Sequence, residues 1–214
     1  MAKQNWKPGT MIYPIPAILV SCGDQELGFN IITIAWTGTL CTSPALCYIS
    51  VRPERYSYGL IKQTGEYVIN LTTRGLAFAT DWCGVKSGRE VDKFKAMQLT
   101  PIQAQHVSSP MIAESPLNIE CRVRDIVELG SHDMFVSEVL AVHADDAFIN
   151  PKTGAFQLSH ADPICYLHGR YFALGRMLGT FGYSVRKKSK GARRGQRTNT
   201  RQLNDTRQGP KIKP

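Results

Sequence analysis

The sequence predicts a mainly β fold, an antiparallel barrel or sandwich with a few peripheral helices. Three observations carry this. Short runs dense in β-branched and aromatic residues recur from Met11 to Val142. Helical periodicity is confined to brief stretches between them. Neither Gly-x-Gly-x-x-Gly nor Gly-x-x-x-x-Gly-Lys-Ser/Thr occurs, which argues against a doubly wound parallel sheet with a nucleotide fingerprint.

Met11 to Cys22 opens the chain as β structure, and Pro14 and Pro16 place its start at a sheet edge. A turn at Gly23-Asp24-Gln25-Glu26 leads into a second strand over about Gly28 to Thr37. Ala45 to Val51 is nearly all apolar and is expected to be a central strand covered on both faces. Pro53 stops it. Tyr56, Leu60, Ile61 and Thr64 then recur at helical spacing until Gly65 supplies a stop. Tyr67 to Leu71 reads as a short strand, Arg74 to Trp82 as a helix breaking at Gly84, and Arg89 to Ala96 as another short helix. Leu117 to Val127 alternates strictly, with Leu117, Ile119, Cys121 and Val123 on one face and polar residues on the other. A turn at Gly130-Ser131 returns the chain through Met134 to Val142.

The 214 residues, 43% hydrophobic and 20% charged, suit one globular domain. The formal charge of +9 is unevenly placed. Arg186 to Pro214 holds eleven Lys and Arg against the single acid Asp205, leaving 15 basic and 16 acidic residues in positions 1–185. The expected division is therefore a nearly neutral domain over 1–185 and a basic, disordered tail over 186–214. Such a tail binds nucleic acid, if at all, through phosphates and without reading sequence. No apolar run reaches membrane-spanning length and the first residues lack a signal-peptide core, so a cytoplasmic protein with no membrane partner is expected. The six cysteines form no Cys-x-x-Cys pair and lie at no metal-ligand spacing with the five histidines. Small buried thiols and no metal site are expected.

Three segments carry candidate chemistry. In Val51-Arg-Pro-Glu-Arg-Tyr-Ser57, Arg52, Arg55, Tyr56 and Ser57 gather where a strand gives way to a helix. A helix start offers unpaired N–H groups and the positive end of its dipole, and arginine adds charge-assisted hydrogen bonds, which together suit a phosphate. From the residues alone, Arg52 and Arg55 are equally well read as surface partners of Glu54 or Glu66. Lys86-Ser87-Gly88 is a second basic, glycine-bracketed turn that suits an anion. Asn30-Ile-Ile-Thr33-Ile-Ala35-Trp36-Thr37 offers main-chain groups and hydroxyls along a strand edge, as a planar heteroaromatic ring requires. Trp36 alone reads more readily as a packing residue than as a ring contact. A ring site beside a phosphate site makes flavin mononucleotide (FMN) the leading expectation.

These segments, with Lys86 to Phe94, Gly130-Ser-His-Asp-Met-Phe-Val-Ser-Glu-Val139 and Leu174 to Val185, resemble in order and separation the flavin reductase-like family with an FMN-binding split β-barrel, specifically its flavoredoxin-type branch. The resemblance implies a homodimer with FMN near the subunit interface and redox chemistry fed by NADH or NADPH or by a protein partner. It implies that Asn30, Thr33, Ala35, Trp36 and Thr37 line the ring and ribityl chain. Arg52, Arg55, Tyr56, Ser57, Lys86, Ser87 and Gly88 would serve the phosphate. His132 would stand near the redox face, with Ser131 where the family often has aspartate; its other reading is a turn histidine without a role. Asp92-Lys93-Phe94 is expected to fix a short helix through a local ion pair and a core phenylalanine. The implied activity is an FMN-dependent oxidoreductase moving electrons from NAD(P)H to a small acceptor, and the alternative is an electron carrier without nicotinamide activity.

Overall fold

Alternating β-branched runs need partners on one face, and in the computed structural model, which describes residues 1–186, they find them in a curled antiparallel sheet. In chain order the elements of the first compact unit, Met1–Gly175, are β1 (Ile15–Pro16), β2 (Ile18–Cys22), β3 (Asn30–Ile34), β4 (Thr37–Thr42), β5 (Ala45–Val51), α1 (Tyr56–Thr64), β6 (Glu66–Leu71), α2 (Ala77–Val85), α3 (Lys93–Ala96), β7 (Pro101–Ile102), β8 (Met111–Ile112), β9 (Leu117–Glu128), β10 (Asp133–Ala144), β11 (Ile164–Leu167) and β12 (Arg170–Ala173). Seven strands form one sheet in the order β3-β2-β6-β9-β10-β5-β4. Its two edge strands, β3 and β4, are consecutive in the chain and joined only by Ala35-Trp36. The sheet must therefore curl until its edges meet. Ser50 N–H of β5 donates to the Trp36 carbonyl at 2.9 Å, which carries the β4–β5 pairing into the link, whereas β3 and β4 share no ladder, so the barrel stays split along one side.

Ile18, Val20, Ile32, Ile34, Ile49, Val51, Tyr67, Ile69 and Phe135 fill the barrel, and Leu60 and Ile61 of α1 join them. Gly65 ends α1 in the left-handed region at φ 69°, its N–H donating to the Ile61 carbonyl at 2.8 Å. The opposite faces of β2 and β3 present Leu19 and Ile31 to Leu76, Ala79 and Cys83 of α2 and to Phe94 of α3. Consequently β2 is buried throughout. It, and not β5, is covered on both faces. β5 lies next to the edge strand β4 and alternates between buried and half-buried positions, so the expectation of a central Ala45 to Val51 strand is corrected.

The expected hairpin of β2 and β3 is present, its turn held by Asp24 Oδ1 accepting from Glu26 N–H at 2.9 Å and Leu27 N–H at 2.7 Å. β9 and β10 pair antiparallel as expected, with register shifts between Val136 and Ser137 and between Val139 and Ala141. The polar face of β9 departs from expectation, because Asn118 and Glu120 are buried. The segment 103–108 wraps over that face, and Glu120 is what holds it. Its carboxylate accepts from the N–H groups of Gln105 (2.9 Å), His106 (2.6 Å) and Val107 (3.1 Å), and pairs with His143 Nε2 at 2.6 Å. The helix expected over Arg74 to Trp82 begins later and runs to Val85, and only Lys93–Ala96 of the expected Arg89 to Ala96 is helical.

A separate three-stranded sheet, β1-β11-β12, was not legible in the sequence. All six cysteines are free thiols. Among the described residues no helix is long and apolar enough to cross a membrane, and no group of His, Cys, Asp and Glu side chains is arranged to hold a metal ion. The second compact unit begins at Arg176, and within it Tyr183 N–H donates to the Thr180 carbonyl at 2.9 Å. The basic tail expected from Arg186 lies, apart from that residue, outside the described residues.

Burial raises the Glu120 carboxyl pKa, but the hydrogen bonds from Gln105, His106 and His143 outweigh it and hold the group below the ordinary carboxylate range. A depressed folded-state pKa contributes stability above the unfolded value, lost as pH falls through the folded one. Glu120→Ala is expected to lower stability by about 1 to 3 kcal/mol in urea unfolding at neutral pH, because the N–H groups of Gln105, His106 and the buried Val107 lose their acceptor. The variant should also lose less stability than the wild type on acidification below the usual carboxylate range.

Candidate functional site

Pro53 ends β5, and Arg55 opens α1 from an extended N-cap conformation (φ −71°, ψ 138°) with no side chain capping the helix. The first-turn N–H groups of Tyr56 and Ser57 are therefore the kind a helix leaves for an external acceptor. Ser57 is buried, and its hydroxyl accepts from Asn30 Nδ2 at 2.7 Å, which fixes the helix start against the start of β3. The turn following α2 packs onto the same place. A Cβ on Gly88 would lie 2.2 Å from Asn30 Oδ1 and 2.8 Å from Tyr56 Cδ1, so only glycine allows this approach. Between them lies a cavity of about 320 Å³ lined by Arg55, Lys86, Arg89 and Lys93 against Glu54 and Glu90. Four cations face two carboxylates, and Glu54 is already paired with Arg52 at 3.2 Å.

A second cavity of about 420 Å³ runs along β3 and the Ala35-Trp36 link. It shares Ile32, Arg55 and Gly84 with the first. Its walls are Ile32 to Trp36, Ser50 to Arg52, His132, the end of α2 and three tyrosines, Tyr13, Tyr166 and Tyr171. β3 is a sheet edge, so main-chain groups on its outer side have no strand partner. The Trp36 and His132 rings lie 4.3 Å apart at 42°. Ser131 Oγ contacts His132 Nδ1 at 3.0 Å, leaving Nε2 available. Burial lowers the His132 pKa, and the positive charge of Arg52 adds to it, so the imidazole is neutral at pH 7. Serine at position 131 brings no charge that would reverse this. Burial, with the Asp81 carboxylate nearby, pushes the Tyr171 phenol up to about 12 and keeps it protonated.

Of the residues expected on sequence grounds, Thr33, Ala35, Trp36 and His132 line the larger cavity, and Asn30, Tyr56, Ser57, Lys86, Ser87 and Gly88 line the smaller. Arg55 lines both. Arg52 is on the ring side and not at the phosphate end, with its guanidinium on Glu54, as the surface-pair reading had it. Thr37 lines neither cavity, because it turns into β4 and its hydroxyl donates to the Tyr48 carbonyl at 2.7 Å. The Thr33 hydroxyl donates to the Thr80 carbonyl. Phe94 is in the core as expected, but the ion pair expected of Asp92 and Lys93 is replaced. Asp92 caps α3 by accepting from Lys95 N–H at 3.1 Å, and Lys93 turns inward to the smaller cavity. Arg89, whose guanidinium carbon lies 5.5 Å from the Tyr56 ring centroid, also reaches that cavity. It stands in the basic turn already singled out. The three tyrosines carry no local sequence signal, since pairing of β11 with β1 and with β12 brings them together.

The sequence matches the family model of the flavin reductase like domain over residues 10–175. The chain belongs to the flavin reductase-like family. An uncharacterised protein of Archaeoglobus fulgidus is 35% identical over 141 residues, 66% of this chain and 78% of the relative. The flavoredoxin of Desulfovibrio vulgaris (Miyazaki F) superposes with a TM-score of 0.79 at 28% identity, covering 86% of this chain and all of that one. An FMN-binding protein from Thermus thermophilus, solved with bound 1-cyclohex-2-enone, superposes with a TM-score of 0.66 at 25% identity over 81% of this chain and 94% of its own. The flavin reductase-like barrel thus places a ring-sized chamber and a cationic chamber along one strand.

An NMR titration of the protein is expected to place the His132 pKa below that of a free histidine, and Arg52→Ala is expected to raise it part of the way back. An unshifted His132 in the wild type would contradict the burial described.

Proposed function

We propose that this flavin reductase-like protein binds FMN and is an oxidoreductase that moves electrons from NADH or NADPH to a small acceptor. One observation carries the reading: the larger chamber and the cationic chamber share Ile32, Arg55 and Gly84, so a planar ring and a phosphate joined by a short chain fit one continuous site. Arg55, Lys86, Arg89 and the start of α1 hold the phosphate by charge and by N–H donation. The open edge of β3 orients the ring through main-chain groups. Trp36 and neutral His132 close one side and exclude water, and Nε2 of His132 can hold or release a proton without adding a fixed charge. The bound flavin supplies hydride acceptance and onward electron release, so no protein nucleophile is required.

A second reading, an electron carrier reduced by a protein partner, is favoured by the likeness to flavoredoxin. Stopped-flow mixing of the FMN-loaded protein with NADH and with NADPH separates the two. Flavin bleaching faster than that of free FMN supports the reductase, whereas no acceleration by either nicotinamide leaves the carrier. Arg55→Ala is expected to weaken FMN binding by about 10- to 100-fold, read by flavin fluorescence. A protein that takes up no flavin on incubation with FMN would overturn both readings.

We also propose a homodimer. Trp36 and Val85, apolar and 37% and 71% exposed, stand at the larger cavity and suit cover by a second copy. Light scattering should give twice the chain mass, and a monomer at micromolar concentration would reject this.

A further inference from the structure

A third cavity, of about 470 Å³, lies between the β2–β3 turn and the segment 101–110, and it shares no lining residue with the two chambers described above. Its volume is that of a small-molecule site. The fold holds both of its walls. On one side Asp24 closes the turn by accepting from Glu26 N–H and Leu27 N–H. On the other, Ser108 donates to the Glu66 carboxylate from its N–H at 2.9 Å and from its hydroxyl at 3.0 Å, and Val107 N–H is held by Glu120. Two hydrogen bonds join the walls: Ser109 Oγ donates to the Gly23 carbonyl at 3.1 Å, and Ser21 Oγ donates to the Pro110 carbonyl. Walls ordered before binding spare a ligand the cost of ordering them.

The chemistry of the lining is one-sided. Asp24 and Glu26 bring two carboxylates, and no lysine, arginine or histidine stands beside them. Neither acid belongs to any ion pair found among the described residues. Asp24 uses Oδ1 alone for the turn. Phe29, Pro101, Ile102, Val107 and Pro110 supply the apolar part of the wall, with Phe29 38% and Ile102 39% exposed. The Phe29 ring is braced edge-on by Phe94, at 6.5 Å between centroids and 67°. Two carboxylates at a surface hold a bare cation weakly. An aromatic ring and aliphatic groups next to them favour a cation that carries its own apolar body.

We propose that this cavity binds a small organic cation, an ammonium group borne on an apolar body of about the size of a phenylalkylamine. The ammonium meets Asp24 and Glu26, and the body lies against Phe29 and Ile102. An anion is repelled, and an inorganic cation leaves the apolar wall unused.

2-Phenylethylamine is the probe, with 2-phenylethanol as its uncharged counterpart and methylammonium as the cation without a body. In ¹H–¹⁵N NMR titrations of the full chain, the amine is expected to shift the amides of Gln25, Phe29, Ile102 and Ser108 saturably, with a Kd of about 1 mM or tighter. The alcohol and methylammonium are expected to bind at least about fivefold more weakly. Glu26→Gln and Ile102→Thr, both at exposed positions outside the core, are each expected to weaken the amine at least about threefold. The same shifts are expected with and without added FMN, so failure of the cofactor reading leaves this test intact. Equal affinity for amine and alcohol, no saturable shift by about 10 mM amine, or shifts confined to the cavity of Trp36 and His132 would overturn the proposal.

Discussion

The seam of the barrel is the constraint on which the rest of the structure depends. A seven-stranded sheet whose two edges are consecutive strands has only one way to bring them together, which is to curl until a two-residue link can span them. Ala35-Trp36 is that link, and β3 and β4 share no ladder beside it. An unpaired strand edge in a folded protein needs cover or a ligand. The larger cavity lies along that edge, so the feature that closes the barrel also creates the surface a flat ring would use.

Much of this was legible in the sequence, for identifiable reasons. Pro53 and Gly65 bracket α1 by backbone chemistry alone, and the arginine-rich turn before it needed no tertiary information. Gly88 was singled out as part of an anion turn, although its closest constraint is steric, a clash with Asn30 that only the folded chain reveals. What failed did so where long-range packing overrules local pattern. Ala45 to Val51 looks central by composition, yet its neighbour β4 is an edge, and composition carries no record of strand order. Asn118 and Glu120 look like a solvent face because alternation is blind to a loop wrapping over it. Lys93 was read as part of a local ion pair fixing the short helix, since sequence spacing does not show which way a four-residue helix turns its first side chain.

The distribution of charge separates two kinds of basic residue. Arg55, Lys86 and Arg89 stand in solvent, where side-chain entropy and screening weaken any single contact. Lys93 and Glu120 are buried and lie on opposite terms with the fold. Glu120 has every donor it needs from its own chain, and it fastens a loop. Lys93 has hydrogen bonds but no opposing charge.

β3 serves the barrel interior through Ile32 and Ile34, the helical layer through Ile31, and the cavity through its free edge. Hardly a side chain on it is free to change without unfolding something. The tyrosines opposite belong to another sheet, β1-β11-β12, that shares no ladder with the barrel. The shape of the cavity can therefore change there by exchange of a few aromatic side chains while the scaffold stays fixed. The two walls of the larger cavity thus sit on separable parts of the chain, and they are free to evolve at different rates.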